Sequence, residues 1–352
     1  SVLGIYSPEE LGPWTGSGPV GAIMGHQMMG ALIILVCYGL WTARPHLRDV
    51  FHKALTGDER IDDTQEILSY RASVVLFFAG IGIMGYWLWQ SGIPAWIVPV
   101  FIFIVIVIFV GLARVIAEAG LATIWPGIVP AGFVISGVGI PALGGQGMVA
   151  TGYALVWAGD LLVFMTAPLA IAMRLGSRFS GPRRGLFWVI VAAMLISLIV
   201  STWFTLYLAY KYGALNLHPQ YFGSFPTYPS RVAAHKLLNP TGPSLTGWLW
   251  TGAGGLITAL LMVARQRFLW WPFHPIGYVM TAATWGGLSD FWFSVFLGWL
   301  LKFIILKVFG LKAHQRAIPF FLGLVMGDYI SVSIWALIGT LFNIPTYVLW
   351  SP

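Results

Sequence analysis

Charge is what this chain has least of. Only 9% of its 352 residues are Asp, Glu, Lys or Arg, against about 25% in a typical soluble domain. That shortage excludes an ordinary soluble fold, because a chain that is 58% hydrophobic lacks the polar shell to cover its apolar surface. Cysteine is nearly absent too. Cys37 stands alone in an apolar run, which excludes an intrachain disulfide and a thiolate metal cluster and reads as packing. Acidic residues number 12 against 19 basic ones, but the resulting +7 is scattered through short loops beside apolar runs. No contiguous basic face exists, so nucleic acid is not an expected partner. The opening carries no basic stretch ahead of a short apolar one, so no signal peptide is expected; residues 1–19 read as a polar loop continuing from a preceding segment.

What the chain has in quantity is hydrocarbon. Mean hydropathy is +0.82, and several apolar runs exceed the roughly 18 residues that mark a spanning helix. The expected fold class is all-α: a polytopic transmembrane helical bundle of about nine or ten membrane segments, one of them broken or re-entrant. A single transmembrane domain is expected over 20–352, with spans near 20–42, 73–90, 95–118, 149–173, 186–210, 248–264, 275–288, 290–305 and 318–342. Loop arginines and lysines orient them. The 43–70 loop, with Arg44, Arg48, Lys53 and Arg60, is assigned to the cytoplasm, and its 64–71 stretch to a short surface helix. Arg174, Arg178, Arg183 and Arg184, then Arg265 and Arg267, then Lys302, Lys307, Lys312 and Arg316, fall on the same side. The 211–246 loop is then external. Residues 121–147 are apolar but interrupted by Pro126, Pro130, Pro141 and many glycines. Such backbone survives at membrane depth only when buried in protein or lining a wet cavity.

Ionisable residues in that setting are the functional candidates, since one charge at membrane depth costs about 2.5–3.5 kcal/mol or more. Arg114 and Glu118 are four apart at the end of the 95–118 span, a spacing that puts them on one helix face. They line a substrate or ion path beside the broken segment, or form a structural pair at the interface with Arg114 snorkelling outward. Asp160 lies midway along its span, either relaying protons or hydrogen-bonded and neutral. Asp290 is a pathway residue or an N-cap. Asp328, after a Gly323–Gly327 pair at GxxxG spacing, sits deeper in an apolar run and is the better candidate of the two. Around the break, Gly120, Pro126, Pro130, Gly144 and Gly145 are the expected broken-helix site. His26 has no second histidine at helical spacing and reads as a satisfied packing residue rather than a metal ligand. Gly144-Gly145-Gln146-Gly147 lacks the frame of a phosphate loop. No nucleophile–base set assembles, so no enzyme, catalytic residue, metal or cofactor is expected.

Three patches carry a family resemblance. Residues 113–120, ARVIAEAG, followed by Trp125-Pro126-Gly127, resemble a segment of the oligopeptide transporter superfamily that also precedes a proline-broken stretch. Arg267-Phe268-Leu269-Trp270-Trp271, with Tyr278-Val279-Met280-Thr281-Ala282 after it, is similar to that family's basic-tryptophan segment and helix start. The last span, with Ala317-Ile318-Pro319-Phe320 and Gly327-Asp328, resembles its C-terminal helix. The string WWPFHPIGY at 270–278 resembles one carried by large bacterial polytopic membrane proteins. Glu118 departs from the family pattern, which is apolar there. The resemblance implies a C-terminal portion of a longer secondary transporter in a bacterial inner membrane. It implies small peptides or metal chelates as solutes and protons as the coupling ion. A non-transporting scaffold or complex subunit is the alternative, and an intramembrane enzyme, for which no nucleophile or metal set assembles, ranks below both. Lipid bilayer and solute are the expected partners, and a homo-oligomer stays open.

Overall fold

The computed structural model describes residues 19–64, 66–120, 124, 126–159, 166, 169, 172–173, 184–282 and 288–342, the side chains of 19, 20, 220, 288–291 and 340 excepted. Every regular element among the described residues is helical. Six helical stretches among them are long and apolar enough to cross a membrane. The chain is an all-α polytopic helical bundle. It divides into two compact units, Ser1–Ser289 and Asp290–Pro352.

The first unit runs α1 (Pro19–Thr42), α2 (Arg44–Thr56), α3 (Tyr70–Gln90), α4 (Ile97–Ala119), α5 (Pro130–Val138), α6 (Ile140–Tyr153) and α7 (Leu155–Ala158). It continues with α8 (Arg184–Tyr212), α9 (Phe225–Leu238), α10 (Leu245–Arg267) and α11 (Pro275–Met280). Its centre is α1 against α10. A Cβ on Gly30 would lie 1.8 Å from the Thr251 carbonyl oxygen, and one on Gly254 would lie 2.1 Å from that of Gln27. The two backbones touch, which only glycine at these positions permits. Gly247, Thr251, Gly254, Gly255 and Thr258 form the small-residue face of α10. Thr251 and Thr258 turn their hydroxyls back to the carbonyls of Gly247 and Gly254, each at 2.9 Å, so neither obstructs the contact.

On its other side α1 meets α4, where Leu32 and Val36 pack over Gly111 and Phe101, Ile108 and Leu112 are fully buried. The contact order gives direction. Leu32 meets Gly111 while Leu35 meets Arg114, and Gly30 meets Thr251 while Tyr38 meets Gln266. Helices α1, α4 and α10 therefore run parallel, and their C-terminal ends share one side.

That side gathers Lys53, Arg114, Arg184, Arg265 and Arg267. Asp63 is buried there and accepts from Lys53 Nζ at 2.9 Å and from the Tyr70 amide at 3.0 Å. Arg184, at the start of α8, lies 3.9 Å from the same carboxylate. One aspartate thus ties α2, the start of α3 and the start of α8 together. The surface helix of this loop is α2, not 64–71. Pro45 in its first turn and left-handed Gly57 after its end delimit it. Residues 66–69 turn instead, and Ser69 caps α3 by accepting from the Ala72 amide. Similarly, the 211–246 loop contains α9, which packs its Ala233 and the Pro229 carbonyl against Gly152 of α6. Of the 275–288 span, the first six residues form α11. The expected span at 149–173 runs into residues outside the described set.

The second unit holds α12 (Leu288–Ile304) from Asp290 onward, a π-turn at Ile305–Phe309 and α13 (Gly310–Phe342). Lys312 and Arg316, expected in a loop, are helical, because α13 begins eight residues before the expected 318. Lysine, alanine, glutamine and arginine all favour helix there.

Two outcomes follow from this packing. Gly30→Ala is expected to destabilise the fold by about 1–3 kcal/mol through overpacking. Gly82→Ala on α3, where a Cβ meets nothing within 4 Å, is expected to be neutral or stabilising by about 0.5–1 kcal/mol; thermal unfolding in detergent checks both. The Lys53 hydrogen bond, then the Tyr70 amide, hold the Asp63 carboxyl below its ordinary value of 3.8. Its contribution is therefore complete above that ordinary value and lost as pH falls through the lower, folded-state one. Asp63→Asn should lower the unfolding temperature at pH 7, by a loss of about 1–3 kcal/mol, and converge with the parent in strong acid.

Candidate functional site

Arg114 and Glu118 pair as their spacing predicts. Arg114 Nε donates to Glu118 Oε1 at 2.6 Å, and an Nη1 proton goes to the Leu35 carbonyl of α1 at 3.1 Å. Gly39 makes room for this, since a Cβ there would lie 2.8 Å from that nitrogen. Arg114 is half-buried and Glu118 exposed. The pair belongs to the basic end of the unit, one turn before α4 stops at left-handed Gly120, and it also fastens α4 to α1.

The broken segment is two short helices. α5 has nine residues and α6 fourteen, or about 13 and 21 Å of helix, neither long enough to cross about 30 Å of hydrocarbon. Pro126 and Pro130 are both buried, Pro130 in the first turn of α5. Gly139 separates the helices at φ 79° and ψ 158°. The backbone groups freed there are taken by one strand of chain. Ser136 O accepts from Ser244 N at 2.9 Å, and Gly137 O from Trp248 Nε1 at 3.0 Å. Ile140 N donates to Thr241 O at 2.9 Å. None of these three groups is therefore left without a partner by the break.

A second interruption lies inside α6, at Gly144, with φ 68° and ψ 175°. Gly144 and Gly145 are exposed. Beside them a groove of about 650 Å3 is lined by Gln90, Ser91, Gly92, Gly145, Gln146, Val149 and Leu237. Its polar groups are amides and hydroxyls without formal charge. Further along α6, the Thr151 hydroxyl is fully buried and makes no hydrogen bond among the described residues.

The sequence candidates do not all meet. Arg114, Glu118 and Gly120 are at the C-terminal end of α4. Gly144 and Gly145 are beside the turn at Gly92, which precedes the N-terminal end of α4. Those ends are about 34 Å apart along the helix. Asp160 lies outside the described residues. Asp290 and Asp328 belong to the second unit. Asp290 is in the first turn of α12, and Asp328 is exposed within α13. A Cβ on Gly323 or Gly327 would meet nothing within 4 Å, so their GxxxG spacing makes no close contact among the described residues.

What sequence reasoning missed is a buried polar cluster. His26 is 2% exposed. Its Nδ1 lies 3.2 Å from Thr251 Oγ1 and its Nε2 lies 3.1 Å from Ser136 Oγ. Thr251 spends its proton on the Gly247 carbonyl; in a neutral imidazole this places the ring proton on Nδ1 and leaves Nε2 to accept from Ser136. Gly247 supplies the space, since a Cβ there would lie 2.6 Å from the ring. The histidine is a satisfied packing residue, as expected, but it joins α1, α10 and the broken helix α5. The legible signal was the Gly247-Thr251-Gly255 spacing; Ser136 sits in an apolar stretch without one.

His26→Leu should cost about 1–3 kcal/mol by leaving two buried hydroxyls without their ring partner. Adding Ser136→Ala and Thr251→Val should restore most of that loss, since removing all partners together is nearly neutral. Unfolding temperatures of the single and triple variants decide it, and equal losses in both would contradict a polar network.

No curated protein matches the chain, and no solved structure matches it either. One family does, over residues 1–351. With essentially the full length covered, the chain belongs to the family described as "Family of unknown function (DUF6785)".

Proposed function

We propose that this protein is a secondary active transporter, coupled to protons, that moves small peptides or metal chelates across a bacterial inner membrane. The observation that carries the reading is the interruption of α6 at Gly144 beside the groove of Gln90, Ser91 and Gln146. Discontinuous helices are where transporters hold solute, because a break exposes backbone dipoles, and this one opens at the turn between α3 and α4. A groove of amides, hydroxyls and glycine backbone suits a solute rich in hydrogen-bonding groups, such as a peptide. Arg114 and Glu118 lie at the other end of α4 and act as a gate there. Glu118 is the exposed member, so protonating it releases Arg114 from one of its two partners. Asp160 or Asp328 carries the proton, and the resemblance to oligopeptide transporters supplies the solute class.

A scaffold without transport is the second reading, and one observation favours it. Ser136 O, Gly137 O and Ile140 N at the Gly139 break are all bonded to protein, which leaves none of them for a solute. Reconstituted vesicles separate the two. Under an inward proton gradient the protein should take up a labelled dipeptide or a ferric chelate and dissipate the gradient. Glu118→Gln should lower uptake about tenfold and flatten its pH dependence, corresponding to about 1.4 kcal/mol. An unchanged pH profile would remove Glu118 from coupling. No movement of either solute under any gradient would leave the scaffold.

A further inference from the structure

The end of α1 and the whole of α2 form a pattern that transport does not use. The two helices are separated by Ala43 alone, and Pro45 withholds the backbone donor that would continue α1 straight on. Along α2, Arg44, Arg48, Phe51 and Leu55 follow at spacings of four, three and four, so they share one stripe of the helix. All four are exposed, Leu55 at 83%. The stripe starts at Trp41, which is 67% exposed at the end of α1 and carries the Arg44 guanidinium 4.2 Å above its ring. Leu47, Val50 and Ala54, on the adjoining face, are half-buried. Phe51 reaches to 6.4 Å from Phe78, two turns into α3, while Lys53 is held at the start of α3 by Asp63. α2 therefore crosses the end of α3 with its aromatic directed toward the membrane-crossing part of that helix.

We propose that α2 is an interfacial helix that binds anionic lipid headgroups in the leaflet at the basic end. Phe51 and Leu55 enter the acyl boundary, and Arg44 and Arg48 engage lipid phosphates. Continuity fixes the occupant. The stripe begins one residue from a spanning helix that ends in an exposed tryptophan, a residue typical of the headgroup level. The Arg44 and Arg48 charges complement an anionic surface, and Asp49 is set on another face of the helix.

The test uses the full chain in nanodiscs of neutral or of one-third anionic phospholipid. Cys37 is the only cysteine, so Cys37→Ser with Leu55→Cys or Glu59→Cys gives single attachment points for an environment-sensitive fluorophore. The position 55 probe should be blue-shifted and quenched by lipid spin-labelled near the headgroup, while that at 59 should stay in water. Arg44→Gln with Arg48→Gln should reduce anionic-lipid binding, read by native mass spectrometry, about fivefold per arginine. A probe at 55 as wet as that at 59 overturns the proposal. So does one shielded from water yet untouched by spin-labelled lipid, which would mean a protein partner. Unchanged lipid preference in the double variant also overturns it. Equal thermal stability of the variants excludes misfolding as the cause.

Discussion

The backbone contact between α1 and α10 is the constraint on which the first unit rests. Lipid tails are as apolar as leucine, so two helices gain little in a bilayer by hiding apolar side chains from each other. They must approach closely enough for dispersion and polar contacts to act. Gly30 and Gly254 permit that, and a methyl group at either would fall on a carbonyl oxygen. Once the pair is closed, His26 is trapped between Thr251 and Ser136, and α5 is fixed against both. The Ser244–Trp248 start of α10 is then in place to take the freed carbonyls of α5. The far end depends on it as well, because Tyr38 on α1 accepts from Gln266 on α10 at 2.6 Å.

The two interruptions of the broken segment differ in kind. At Gly139 the chain needs a conformation that L-residues rarely adopt, and Gly242 and Pro243 press so closely that a Cβ would lie under 3 Å from them. That break is sealed by protein. At Gly144 the same backbone requirement meets open space, since a Cβ would touch nothing within 4 Å. Glycine there is demanded by φ alone, not by crowding. A sealed break is architecture, whereas an open one beside uncharged hydrogen-bonding groups has room for a solute.

Much of this was legible in the sequence, and what was not has physical reasons. The 20–42, 73–90 and 95–118 spans lie within or beside helices Pro19–Thr42, Tyr70–Gln90 and Ile97–Ala119, because apolar length alone signals a spanning helix. The 121–147 stretch was marked as broken by its prolines, and α5 and α6 are short. The Arg114–Glu118 pairing came from spacing. Its third partner did not, since a backbone carbonyl on α1 leaves no trace in composition. The surface helix lies twenty residues before the expected 64–71, because Pro45 and Gly57 are its start and stop signals. The His26 cluster joins residues 225 and 110 positions apart, and no periodicity reports on such a meeting.

The parallel course of α1, α4 and α10 has an electrostatic consequence. Each helix carries about half a positive charge at its N-terminus and half a negative charge at its C-terminus. Three aligned in one direction add where antiparallel neighbours would cancel. The side that receives Thr42, Ala119 and Arg267 also receives the starts of α3 and α8 beside Asp63, so about one of those one and a half negative charges is offset and a surplus of about half a charge remains from backbone alone. Arg44, Arg114, Arg265 and Arg267 stand on that side. Beyond any part they have in setting orientation, these arginines neutralise the carbonyl ends of their own bundle. The opposite side keeps the matching small surplus of amide ends, because the carbonyl ends of α3 and α8 lie among them.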